Sequence, residues 1–200
     1  MKKLFCAVML LLMGIVGSVS FAKENKVLYV GTNAEFQPFE YLEDGKIVGF
    51  DVELMEEIAK LMGKEIEWKN IAFDGLLPAL QAKQLDVIIA GMTATEERKK
   101  FVNFSETYYT SNQMILINKE NPVVESFDKL AGHNVGVILG YTGDIAVSAI
   151  DGVKVQRYNG AAEAIMALKA KKVDAVVLDS EPAKNYAKQN KELGLINTDV

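Results

Sequence analysis

Seven short apolar or alternating runs punctuate the chain: Val27–Val30, Ile66–Trp68, Asp86–Ala90, Gln113–Ile117, Val135–Ile138, Val153–Val155 and Asp174–Leu178. Their length and patterning predict strands. The intervals between them read as helices. From Val52 to Met62 the apolar residues Val52, Leu54, Met55, Ile58, Ala59, Leu61 and Met62 fall mainly three and four apart, and Glu53, Glu56, Glu57 and Lys60 take the other face. This predicts an amphipathic helix that Gly63 ends. Gly75–Ala82, Ala161–Lys171 and Glu181–Lys191 carry similar patterns. Repeated strand–helix–strand units predict a largely parallel sheet with helices on both faces.

Part of the pattern occurs twice. Residues Asp74–Ile88 and Gly160–Val176 each read as a helix ending in basic residues, a turn, an aspartate and an apolar strand. Any helix-to-strand step has something of this look, but two lobes with similar βαβ cores account for it better. Asn118–Pro122 is the most linker-like stretch.

Composition fits such a fold. With 200 residues, half of them hydrophobic, the chain has material for one large domain or two small ones. Charged residues make up 24% and the net charge is −5, which argues against a nucleic-acid footprint or a polybasic membrane patch. The first 22 residues differ: Lys2 and Lys3 precede the apolar run Leu4–Val16 and the small-residue stretch Gly17–Ala22. This predicts a secretory signal peptide at 1–22, cleaved after Ser20-Phe21-Ala22. A membrane anchor would need a longer run, about 20 apolar residues. Cys6 would leave with the leader, so no disulfide or thiol chemistry is expected of the mature chain.

Most catalytic constellations are missing from the outset. His133 is the only histidine and sits in a polar turn, which disfavours a histidine-rich metal site or a Ser-His-Asp triad. There is no Gly-x-Gly-x-x-Gly and no P-loop lysine. Gly140-Tyr141-Thr142-Gly143 follows a strand and precedes a helix, a place where backbone N–H groups can hold an anion. Trp68, Met55 and Met62 read as packing residues.

Three segments at strand ends combine polar groups that a buried core would not choose. Gly31–Tyr41 follows the first strand, where ligands of open α/β sheets collect. Ala90–Lys100 follows another. There Thr93 and Glu96 have the spacing of a helix capping box, but Arg98 opposes the helix dipole, which suits a residue facing an anion. Leu178–Glu181 is the third, and Asp179 has the alternative of capping the next helix.

Pro38-Phe39-Glu40-Tyr41, Val48-Gly49-Phe50-Asp51-Val52, Phe73–Leu80, Gly91–Arg98 and Asp174–Asp179 occur in this order and span nearly the whole chain beyond the leader. In this the chain resembles the polar amino-acid family of periplasmic solute-binding proteins that feed ABC importers, with most likeness to arginine-binding members. The resemblance implies a type II periplasmic binding fold, two α/β lobes joined by a two-segment hinge. It places an incomplete lobe one at 23–111, lobe two at 112–195 and the start of a returning hinge segment at 196–200, with the C-terminal part of lobe one missing.

It also implies residue roles. Arg98 would clamp the ligand α-carboxylate with its guanidinium fork, helped by Thr93, Gly91 and, across the cleft, Thr142. Asp179 would take the α-ammonium, and Phe36 and Phe73 would sandwich the side chain. A zwitterion needs one fixed cation and one fixed anion, which Arg98 and Asp179 supply. Asn33, Glu35, Met92 and Ile138 are the further candidates for setting preference, arginine or a similar basic or polar amino acid being the expected ligand. No enzyme activity, cofactor, metal or nucleic acid is expected; the expected partners of this monomer are a free amino acid and the permease. The rival readings are an enzyme on the same scaffold, such as a cyclohexadienyl dehydratase, and the ligand-binding module of a sensor.

Overall fold

The computed structural model describes residues 26–200, so the expected leader at 1–22 lies outside the described residues. Among these residues no helix is long and apolar enough to cross a membrane. Each predicted strand forms, and two sheets result. The first has the order β5–β1–β6, with β1 (Val27–Thr32) parallel to both β5 (Glu65–Asn70) and β6 (Val87–Ile88). The second has the order β11–β7–β10–β8–β9. Here β8 (Asn134–Ile138) runs parallel to β9 (Lys154–Tyr158) and β10 (Ala175–Asp179). β7 (Gln113–Asn118) is antiparallel to β10 and to β11 (Leu193–Asn197). The second sheet is therefore mixed, where a largely parallel sheet was expected. β7 enters it directly from the extended segment 103–112 that leaves the first lobe, with no crossover helix to set it parallel.

A small hairpin sheet precedes the first helix: β2 (Glu35–Phe36), β3 (Glu40–Glu43) and β4 (Lys46–Val48). Asp44 and Gly45, both at positive φ, close its two-residue loop, as the twist of a tight hairpin demands. Gly49 then starts α1 (Phe50–Leu61) at φ +127; a Cβ there would stand 2.2 Å from the Phe39 carbonyl oxygen. That closeness lets the Phe50 and Asp51 N–H groups donate to the Pro38 and Phe39 carbonyls, which serves two otherwise unpaired helix donors. α1 buries Val52, Met55 and Ala59, and packs with Leu28, Val30 and Ile89 on one face of the first sheet.

The repeated sequence pattern is a repeated structure. α2 (Phe73–Gln81) leads to β6 and α5 (Ala161–Lys169) leads to β10. Each helix ends with a lysine in the left-handed region, Lys83 at φ +59 and Lys171 at φ +57. In each, the next two N–H groups bond back into the helix, Lys83 to Leu80 and Gln84 to Ala79, Lys171 to Leu168 and Lys172 to Ala167. The aspartate that follows then clips the neighbouring strand: Asp86 accepts from the Tyr29 N–H and Asp174 from the Asn134 N–H, both at 2.8 Å.

The other helices are α3 (Glu96–Lys99), α4 (Thr142–Ser148) and α6 (Ser180–Gln189). One hydrophobic cluster of the second lobe holds Ile115, Leu130, Val135, Val137, Val147, Ala175 and Val177. A larger one crosses between lobes, joining Phe36, Phe39, Phe73 and Leu76 to Met114, Ile138, Tyr141, Ile165 and Leu178.

Candidate functional site

Arg98 is the buried cation of the interlobe cleft, 8% exposed. Thr95 caps its short helix by accepting from the Arg98 N–H at 3.2 Å, so the cap is Thr95 and not the Thr93 of the expected capping box. Thr93 serves Arg98 through its carbonyl, which accepts from Nη1 at 2.8 Å. Nη2 reaches across the cleft to the Gly140 carbonyl at 2.7 Å, and the guanidinium lies over the Phe73 ring, 5.2 Å from its centre. Burial lowers the Arg98 pKa, and the nearby Asp179 opposes that.

Asp179 is the buried anion on the other side. It occupies the N-cap position of α6 without capping it; its Oδ1 instead accepts from Gln113 Nε2 at 3.0 Å. Burial pushes its carboxyl up to about 6, against the lowering effects of the Gln113 hydrogen bond, its own backbone, Arg98 and Ser111. Gln113 Nε2 also donates to Thr142 Oγ1 at 3.2 Å, so one amide holds two cleft residues. Gln113 and Asp179 are register partners of β7 and β10. Sequence reading missed Gln113, whose role depends on that antiparallel pairing.

Arg98 and Asp179 make no direct ion pair. They face one pocket with Phe36, Phe73, Ala90, Gly91, Thr93, Tyr141 and Thr142. Of the expected residues, Phe36, Phe73, Gly91, Thr93, Arg98, Thr142 and Asp179 thus come together. The others do not line it. Met92 lines an adjoining cavity of about 330 Å³, which shares Phe36, Gly91, Thr93 and Asp179 with the pocket. Ile138 is 1% exposed within the core. Glu35 crosses to the second lobe, where Oε2 accepts from the Ala162 N–H at 3.2 Å in the first turn of α5. Asn33 is buried with both amide atoms used: Nδ2 donates to the Ile71 carbonyl at 3.2 Å, and Oδ1 accepts from the Tyr141 hydroxyl at 2.9 Å.

The Gly91 loop is held from behind by a second buried carboxyl. Asp51 Oδ2 accepts from the Gly91 N–H at 3.3 Å and from the Tyr108 hydroxyl at 2.8 Å. Its neighbour Glu40 is 1% exposed, and burial first, then the nearness of Asp51, raises its pKa well above the usual carboxylate range. Burial also raises Asp51. Among the described residues no group of His, Cys, Asp and Glu has the clustering of a metal site.

A family model describing bacterial extracellular solute-binding proteins, family 3, matches residues 28–131. The chain belongs to this family. Among curated family 3 relatives, it is 40% identical over 172 residues to a "probable histidine-binding protein" of Campylobacter jejuni, covering 86% of this chain and 67% of the relative. The "arginine-binding extracellular protein ArtP" of Bacillus subtilis is also 40% identical, over 171 residues, covering 84% of this chain and 67% of the relative. The chain thus spans about two thirds of the length of these curated relatives. The arginine-bound form of a truncated ArgBP from T. maritima superposes with a TM-score of 0.84 at 44% identity, covering 88% of this chain and 83% of that one. As a family 3 protein it has the two-lobed α/β architecture of the periplasmic binding fold.

Proposed function

We propose that this protein captures a free amino acid outside the cytoplasmic membrane and delivers it to the permease of an ABC importer. The observation that carries the reading is the separation of Arg98 and Asp179: two buried opposite charges face one pocket and leave each other unpaired. Buried charges of this kind call for a partner bearing the complementary pair, and the α-carboxylate and α-ammonium of an amino acid are such a pair. Arg98 takes the carboxylate and Asp179 the ammonium. Thr93, Gly91 and Thr142 add hydrogen bonds, and Phe36 and Phe73 flank the side chain.

The names of the relatives favour a basic ligand, arginine first, and rings at Phe36 and Phe73 would add cation–π attraction for a guanidinium. The protein acts by binding and not by catalysis, as a monomer. The leader at 1–22 directs it to the periplasm or its equivalent, with lobe one at 23–111, lobe two at 112–195 and the return towards the first lobe beginning at 196–200. A thermal-shift screen of the full-length protein against the twenty amino acids tests the reading. A ligand at about 100 times its Kd adds roughly 2.7 kcal/mol of stability. Arg98→Ala and Asp179→Ala should abolish the shift, and Arg98→Ala binding as well as wild type would overturn the assignment.

A further inference from the structure

The end of the cleft that holds Arg98 and Phe73 is filled. About 10 Å³ remains there, room for a single water at most, while the open space of about 330 Å³ lies alongside, in the cavity that shares Phe36, Gly91, Thr93 and Asp179 with it. The filling comes from one turn of the second lobe. The Gly140 carbonyl occupies the Nη2 donor of Arg98. The next residue, Tyr141, is 6% exposed and sets its ring against both members of the aromatic pair, 4.5 Å from Phe73 and 6.0 Å from Phe36 between ring centres. Its hydroxyl donates to Asn33, whose amide nitrogen is satisfied in turn by the Ile71 carbonyl.

We propose that Gly140-Tyr141 is a built-in occupant of the cleft, and that an amino acid binds by displacing it. This rests on the reading of Arg98, Asp179, Phe36 and Phe73 as the ligand site, and it goes further: the chain itself mimics two parts of the ligand. A carbonyl stands in for the carboxylate and a phenol ring for the side chain. The mimicry is built in, because Tyr141 leaves no polar atom unpaired, as a chance collapse of the lobes would not ensure. Its position follows from the turn: the Tyr141 N–H donates to the Ile138 carbonyl, and Gly140 at φ +81 turns its carbonyl towards Arg98 in a backbone region that side chains resist.

Two consequences follow for ligand choice. At Arg98 a charged carboxylate outcompetes a neutral carbonyl as acceptor. Between the rings the contest is with tyrosine itself, so a ligand must offer a long, flat or cationic side chain to gain the place. The apparent Kd is the intrinsic one divided by the fraction of molecules with Tyr141 withdrawn. Tyr141 therefore sets both affinity and selectivity while making no bond to the bound ligand.

The test is isothermal titration of wild type, Tyr141→Ala, Tyr141→Phe and Arg98→Ala with L-arginine, L-lysine, L-histidine and L-glutamine. Tyr141→Ala should tighten binding at least tenfold for one or more of them, and Tyr141→Phe, which loses only the bond to Asn33, should tighten it by less. Tyr141→Ala binding no tighter than wild type, with Arg98→Ala inactive, overturns the occupant and leaves the ligand site standing. Arg98→Ala binding like wild type overturns the site itself. A fluorotyrosine placed at 141 in the otherwise unaltered protein gives a readout that does not depend on the alanine variant folding. Its 19F signal should move from a buried to a solvent-exposed shift at ligand saturation, and a buried signal unchanged at saturation overturns the proposal.

Discussion

Ligand binding should weaken as pH falls through about 6, and Asp179 sets the effect. In the ligand-free protein burial holds this carboxyl at about 6 instead of 3.8. Keeping it ionised at neutral pH therefore costs the free protein about 3 kcal/mol. Because the folded value is raised, the stability linked to its proton is present below about pH 4 and is lost as pH rises through about 6. An arriving ammonium reverses the sign: it favours the carboxylate, so binding must first expel the proton wherever one is present. The α-carboxylate and guanidinium of L-arginine keep their charge across this window, leaving Asp179 as the titrating partner. At pH 7.5 nearly every molecule has Asp179 ionised, while at pH 5 about one in eleven does, so Kd should rise roughly tenfold. Titration calorimetry at pH 7.5, 6 and 5, in buffers of high and low ionisation enthalpy, measures this, and about half a proton should be released per ligand at pH 6. Asp179→Asn should bind weakly at every pH and show no such slope. A wild-type Kd constant within a factor of two from pH 7.5 to 5, with no proton release at pH 6, would refute the reasoning.

Three further outcomes are expected. Gln113→Leu removes the donor shared by Asp179 and Thr142; hydrogen bonds to charged groups are worth about 1.5–3 kcal/mol, so calorimetry should show affinity falling at least tenfold and the pH midpoint of binding moving above 6. Lys83→Gly and Lys171→Gly relieve left-handed lysines, and each should stabilise the protein in urea unfolding by about 0.5–1 kcal/mol, additively because they lie in different lobes. Glu35→Gln takes a charge from the first turn of α5, weakening the lobe-to-lobe contact by about 0.5–1 kcal/mol, and small-angle scattering should show a larger radius of gyration for the ligand-free protein.

What could be read from sequence divides along physical lines. β7, β8 and β10 lie inside a sheet, and a strand covered on both faces needs a continuous apolar run, so Gln113–Ile117, Val135–Ile138 and Asp174–Leu178 stood out. The paired helix-to-strand steps were legible for a similar reason: the left-handed lysines and strand-clipping aspartates are local devices written in consecutive residues. The β3–β4 hairpin was missed because its strands carry Glu40, Glu43 and Lys46, although Asp44-Gly45 was an available turn signal. Asp179 was visible as a polar group closing an apolar strand, and Arg98 as a cation at the start of a helix that follows one. Gln113 was not, since a glutamine opening an apolar strand acquires a role only when the register sets Asp179 opposite it. Glu35 and Asn33 were expected near the ligand; that each also has a partner in the other lobe is long-range information that a sequence does not display.

The pairing of Gln113 with Asp179 also has a use in instrumentation. Gln113 is the first residue of β7, directly after the extended segment that joins the lobes. That segment is tied to the Asp179 end of β10 by the Ser180 N–H donating to the Asn112 carbonyl and by the contact between the Ser111 and Ser180 hydroxyls. One side chain, Gln113, thus links the pocket to a solvent-facing strip. A dye attached at exposed Thr110 would sit on the wall of the adjoining cavity, next to the anchor of the pocket. A reporter there would stand three residues ahead of the strand that carries Gln113, close enough to give the proposed binding an optical readout.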